Sequence, residues 1–340
     1  MDVFANLPPA ERAEAFNETA ARLGLAAAVI VEKDFWVAWT LKQLFALKNT
    51  PKMIFKGGTS LSKAYGVISR FSEDIDISLD RETLGFAGDR DPGAEGLSNT
   101  KRRNLLEELK EKTSAYVSGE LQNSLNVKIA AVLGENGWSL DVDDGDPQTL
   151  LFAYPKALSD SAYAGLAYVP PQLRLEMGAR ADHWPAAERE IRSYVADEFP
   201  ELFSEGQTTV TTLGVERTFW EKATILHAVY HAPAEKALAA RVSRHYYDVA
   251  LLAMSEFGTA AIADKELLEA VALHKSRFFP SAAARYDEAR PGTLRLAPHA
   301  DLEKLLRADY EKMAEMIFGE PPPFDDILVT LRTIEASINE

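Results

Sequence analysis

The chain of 340 residues contains no cysteine. Disulfides, thiolate metal sites and cysteine nucleophiles are thereby excluded, and a reducing, cytoplasmic setting is expected. Long apolar runs are missing too. The first thirty residues are broken by Glu11, Arg12, Glu14, Glu18 and Arg22, which leaves no uncharged core for a signal peptide. No stretch approaches the roughly 18 apolar residues that a membrane span needs. Basic residues are scarce: 37 Lys and Arg stand against 52 Asp and Glu, a formal charge of −15. Such a surplus repels polyanions at long range and argues against a dedicated non-specific nucleic-acid binder, so any nucleic acid must be met by a local basic patch. What is plentiful is apolar material, 46% of the residues, enough for one large core or two ordinary ones.

The pattern is helical from Pro9 to Leu47, with Ala13, Phe16, Ala20 and Leu23 on one stripe and Phe35, Trp39, Leu41 and Phe45 on another. A short buried strand, Met53 to Phe55, stops at Gly57-Gly58, and Thr59-Ser60 can cap a following helix. Ser72 to Leu79 alternates, with Ser72, Asp74, Asp76 and Ser78 on one face and Ile75, Ile77 and Leu79 on the other. Gly85 to Thr100 reads as a mobile loop suited to a lid, before a charged helix from about Lys101 to Val117. Further strands are expected at Asn126–Val132, Ser139–Val142, Leu150–Tyr154 and Gln172–Met177. Beyond Gly214 the pattern turns helical, at Val215–His231, Glu235–Met254, Asp264–His274 and Asp301–Ile317. The expectation is an α+β chain divided near Thr212: a core at 1–212 with a mixed sheet and flanking helices, and a helical C-terminal lobe at 213–340.

Adjacent glycines let a backbone turn approach a ligand closely, and a helix start offers amide N–H groups to an anion such as phosphate. Lys56, Gly57, Gly58, Thr59 and Ser60 are the candidate triphosphate-binding turn; alone, a Gly-Gly-Thr turn is simply a common way to leave a strand. Asp74 and Asp76, two apart on a strand, hold carboxylates whose Cα atoms are about 6–7 Å apart and which repel unless a cation lies between them. Magnesium suits these hard oxygen donors and takes further ligands from phosphate, and a metal pair about 3.5–4 Å apart can serve an in-line displacement. Glycine turn, helix and aspartate pair in this order resemble the signature of the polymerase-beta-like nucleotidyltransferases.

A third carboxylate is expected from Glu176, on the polar face of its strand beside Arg174, as metal ligand or base. In the helical half Lys222 lies on an amphipathic helix. On the next helix Arg241, Arg244 and Asp248 fall on one face, opposite Leu238, Val242, Tyr246 and Val249. These cations could neutralise charge on a departing pyrophosphate. Two other patterns are weaker. His227 and His231 have the spacing of a helical metal pair, but Ala228 stands where a zinc protease has its glutamate. Asp141, Asp143, Asp144 and Asp146 are calcium-like, yet Gly145 is misplaced and no closing Glu follows, so a polar hairpin is expected.

The runs Val31-Glu32-Lys33-Asp34-Phe35-Trp36, Phe55-Lys56-Gly57-Gly58-Thr59-Ser60-Leu61-Ser62-Lys63 and Arg70-Phe71-Ser72-Glu73-Asp74-Ile75-Asp76 closely resemble the AbiEii/AbiGii toxin family. The likeness extends to Glu216 through Lys222, Arg244 through Asp248 and Asp309 through Gly319. The resemblance implies a nucleotidyltransferase fold with a helical lobe, and a site made of Gly57, Gly58, Ser60, Asp74, Asp76, Lys222 and Asp248. It also implies a toxin of a type IV toxin–antitoxin or phage-abortive-infection system, restrained by an antitoxin encoded nearby. The 3′ end of transfer RNA is the expected acceptor; a protein or small-molecule acceptor, or a catalytically silent nucleotide-binding regulator, are the alternatives. For RNA, a basic strip of Lys56, Lys63, Lys101, Arg102 and Arg103 is expected despite the acidic whole.

Overall fold

The computed structural model describes residues 1–25, 27–72, 74–164, 170–233, 241–314 and 316–340. They form two compact units: Met1–Ala64, Phe71–Asp91 and Asn104–Thr212 in the first, and Tyr65–Arg70, Pro92–Arg103 and Leu213–Glu340 in the second. Among the described residues no helix is long and apolar enough to cross a membrane.

The first unit is built on a seven-stranded mixed sheet in the order β3-β4-β5-β2-β1-β7-β6. The strands are β1 (Met53–Lys56), β2 (Ile75–Leu79), β3 (Ser139–Asp143), β4 (Asp146–Ala153), β5 (Leu173–Gly178), β6 (Ala186–Arg192) and β7 (Gln207–Leu213). β2 is central, antiparallel to β1 and parallel to β5. Its alternation works as expected: Ile75, Ile77 and Leu79 enter the core with Leu173 and Leu175 of β5. The helix Ala28–Phe45 brings Trp36 and Trp39 into that core, where they stack on Tyr154 and Phe152 with ring centroids 5.5 and 5.9 Å apart.

Several local expectations are corrected. Asn126–Val132 is not a strand but part of a helix, Gln122–Leu133, which buries Leu125 and Ile129 one turn apart and leaves Val127 exposed. β2 starts at Ile75, so Ser72 and Asp74 precede the strand. β6 and β7 were not anticipated; β6 is an edge strand whose sequence, Ala-Ala-Glu-Arg-Glu-Ile-Arg, has too little apolar alternation to announce it. The expected free loop after Gly85 is tied down instead. Phe86 is buried in the first unit, and in the second Arg102 donates to the carbonyls of Pro92 and Ala94 while Arg277 donates to that of Gly93.

The second unit is helical, with Val215–His231, Ser243–Met254, Lys265–Phe278, Ala300–Ala314 and Phe324–Asn339 as its longer helices. The last of these was not anticipated, although Phe324, Ile327, Leu328, Leu331, Ile334 and Ile338 form an apolar stripe. Residues 234–240, where the expected helix from Glu235 and its Leu238 fall, lie outside the described residues. The segment Tyr65–Arg70 is stitched to this unit by the Tyr65 hydroxyl, which donates to Leu213 O at 2.8 Å, and by the Phe318 amide, which donates to Ser69 O at 2.7 Å.

Candidate active site

In the first unit the glycine turn and the aspartate strand meet. Gly57 has φ +78°, a conformation that favours glycine, and a Cβ placed there would lie 1.9 Å from Asp76 Oδ2. Only a residue without a side chain leaves room for that carboxylate. The turn is braced from within: the Thr59 hydroxyl bonds to Asp74 O at 2.5 Å and Ser72 Oγ at 3.0 Å, and the Ser60 hydroxyl donates to Gly57 O at 2.9 Å. Thr59 and Ser60 are both buried. Their hydroxyls therefore shape the turn, leaving its backbone N–H groups as the donors available to an anion. Ser72, of which the motif gives no expectation, shares in this bracing.

Strand register sets four residues in one row. Lys56 pairs with Asp76, Asp76 with Glu176, and Glu176 with Thr149. Directly paired residues point to the same face, so Lys56, Asp76 and Glu176 share one side of the sheet. Among the described residues the Asp76 carboxylate has no hydrogen-bond or ion-pair partner. Glu176 is half-exposed and lies 3.5 Å from Arg174 Nε, while Arg174 Nη1 donates to Asp143 Oδ2 at 2.7 Å. Burial lowers the Arg174 pKa, but Asp143, Glu176 and Asp74 together outweigh it and raise the value. Asp74 thus belongs to the same electrostatic neighbourhood. Among the described residues no group of three or more His, Asp or Glu side chains that could hold a metal ion is found. The donor chemistry still fits a hard divalent cation, because magnesium is commonly held by one or two carboxylates with phosphate and water completing its shell.

Lys222, Asp248 and Arg244 belong to the second unit. Asp248 is fully buried and closed on both sides: Arg70 grips it with Nε to Oδ1 at 2.7 Å and Nη2 to Oδ2 at 2.8 Å, and Lys222 Nζ reaches Oδ2 at 2.8 Å. Burial alone would raise the Asp248 carboxyl, but the charges of Arg70 and Lys222 prevail and hold it well below its ordinary value. Burial lowers the Lys222 ammonium; Arg70 and Arg244 reinforce this and Asp248 opposes it. Arg70 stands within the Arg-Phe-Ser-Glu-Asp-Ile-Asp motif, from which no role is expected of it. The signal that could have found it is its place just before a Ser-Glu-Asp-Ile-Asp run, while its partner stands 178 residues later. Arg241 does not share a helical face with Arg244 and Asp248, because it precedes the helix with φ +69°.

The basic strip is curtailed. Lys63 is buried against Asp34, and Arg102 is committed to loop carbonyls, whereas Lys101 and Arg103 are exposed. His227 of the histidine pair holds structure: the Arg295 amide donates to its Nδ1 at 3.1 Å, so Nε2–H is left to donate to Arg285 O at 3.0 Å. The aspartate-rich stretch is a hairpin, with Asp143 Oδ1 accepting from the Gly145 amide at 2.8 Å.

Residues 39–330 match the family model described as nucleotidyl transferase AbiEii toxin, type IV TA system. The fold is similar to that of MenT4, a nucleotidyltransferase toxin from Mycobacterium tuberculosis H37Rv, with a TM-score of 0.50 at 17% identity, covering 96% of this chain and 89% of that one. At that identity the likeness speaks for the fold alone, and it agrees with the expected mixed sheet, flanking helices and helical lobe. Among curated proteins none matches the chain.

Proposed function

We propose that this chain, which belongs to the AbiEii family of nucleotidyltransferase toxins of type IV toxin–antitoxin systems, transfers a nucleoside monophosphate from a nucleoside triphosphate to the 3′ end of transfer RNA, with magnesium as its cation. The observation that supports this reading is the close approach of Gly57 to the Asp76 carboxylate, which has no partner among the described residues: a turn suited to phosphate lies beside a carboxylate suited to a cation. Asp74 and Asp76 would hold the magnesium. When bound, the ion would supply Lewis-acid neutralisation of negative charge on the triphosphate. The backbone of Gly57, Gly58, Thr59 and Ser60 would receive the phosphates, with Lys56 in register opposite Asp76 to balance charge. Glu176 would exchange Arg174 for the cation and act as an auxiliary ligand or as the base for the acceptor hydroxyl.

In the second unit, two buried cations and one carboxylate leave the Arg70–Lys222–Asp248 cluster with a net positive charge, and nearby Arg244 adds to it. Such a cluster suits the developing negative charge of a polyphosphate, with Lys222 as its donor and Asp248 as the residue that orients it. Restraint would come from an antitoxin protein encoded nearby, in the cytoplasm of a cell defended against phage. The test is to incubate the protein with each labelled triphosphate, magnesium and total cellular RNA. Label on transfer RNA supports the full reading; label on protein or a small metabolite keeps the transferase and removes the RNA acceptor. Triphosphate binding without any transfer would leave a silent nucleotide-binding regulator.

A further inference from the structure

The helix Gly57–Lys63 is only seven residues long and has no side-chain hydrogen bond at its N-cap. So short a helix does not hold itself in water, and its placement must come from tertiary contacts. At one end Gly57 lies against Asp76. At the other, Lys63 forms an ion pair with Asp34 in which the two side chains are 7% and 3% exposed. The contacts around this pair point in fixed directions. Asp34 Oδ2 accepts the Tyr194 amide at 2.7 Å, Lys63 Nζ donates to Arg192 O at 3.1 Å, and the ammonium lies 3.8 Å from the Tyr194 ring centroid. The pair thus joins the Ala28–Phe45 helix, the short glycine helix and the corner after β6.

A buried ion pair is a poor device for stability alone, because desolvation of both charges offsets their attraction and apolar residues of similar volume often serve as well. What it supplies is direction. We propose that Asp34 and Lys63 are positioning residues that fix the glycine helix so that Gly57 stays seated on Asp76 and the turn is preorganised for triphosphate. Neither residue touches the nucleotide in this scheme. The consequence for nucleotide rests on the reading of that turn as a phosphate site.

The decisive comparison is between K63M, which strands the Asp34 charge, and the neutral double variant D34N/K63M, which removes both charges while keeping volume and an acceptor for the Tyr194 amide. K63M is expected to melt well below the wild type, and the double variant to recover most of that loss. Despite its recovered fold, the double variant should bind magnesium triphosphates about tenfold more weakly, as expected when a preorganised contact is loosened. Its amides at 57–60 should exchange hydrogen faster. Wild-type affinity and wild-type exchange in the double variant would overturn the proposal. If the wild type itself binds no triphosphate, the nucleotide reading falls, while exchange at 57–60 still decides whether the ion pair positions the turn.

Discussion

Asp76 in the sheet unit and Asp248 in the helical unit are both aspartates of shared motifs, yet they are held in opposite ways. Asp76 stands half-buried on β2 with its carboxylate pressed against a glycine and no partner for its charge among the described residues. Asp248 is fully enclosed, its two oxygens taken by Arg70 and Lys222. An acid fixed in place by packing alone keeps its lone pairs for something else; an acid with two cationic partners has already used them. Spacing within a motif does not separate these cases. The surroundings do, and they support the proposed ligand role of the first aspartate and the proposed orienting role of the second.

The largest stability effect should come from breaking the closed cluster. Asp248→Asn removes the buried carboxylate charge that Arg70 and Lys222 share, and a loss of about 3–5 kcal/mol in denaturant unfolding is expected. A variant as stable as the wild type would show that Asp248 is not the keystone of its unit. Next comes Gly57→Ala. Its Cβ would collide with the Asp76 carboxylate in a left-handed backbone, so transfer should fall by at least about a hundredfold through misplacement of the turn. Near-normal kinetics would mean that turn and aspartate do not work together. Glu176→Gln should cost less, roughly tenfold in transfer, because the residue is half-exposed, already shared with Arg174 and only auxiliary to the aspartates. Measured alongside Asp76 variants, it ranks the acids of the row.

The smallest effect expected is on pH dependence. Burial pushes the His183 imidazole down to about 4 from its ordinary 6.5, and its Nε2 lies 2.9 Å from the buried Ser78 hydroxyl. A depressed value means that the favourable contribution is fully present above pH 6.5 and is lost as the pH falls toward 4. Wild-type melting temperature should therefore drop more steeply over that window than in His183→Gln. Parallel profiles would remove His183 as a source of acid sensitivity.

The juxtaposition of glycine turn and aspartate strand was legible because its parts are local. Gly57 through Ser60 and Asp74 through Asp76 sit close in sequence, and alternation alone puts Asp76 on the face of β2 opposite Ile75 and Ile77. The α+β class was readable for the same reason: strand-like and helical patterns separate near Gly214. Pairings across long sequence distances were not legible. Nothing near Arg70 announces Asp248, and nothing near Lys63 announces Asp34, so a lysine assigned to an RNA-facing strip proved to be buried. Asn126–Val132 misled because its β-branched and apolar residues suit either period, and packing of Leu125 and Ile129 decided for helix.

The most direct test of the contrast between the two aspartates is Asp76→Asn, measured for melting temperature and for transfer of label from triphosphate on the same preparation. The variant is nearly isosteric and breaks no ion pair among the described residues, so melting should stay within a few degrees of the wild type. Transfer should disappear into background, because the neutral amide no longer serves as a hard anionic ligand. Retained transfer in the folded variant would contradict the assignment of Asp76 to the chemistry, and a collapse of melting would make it a structural residue like Asp248.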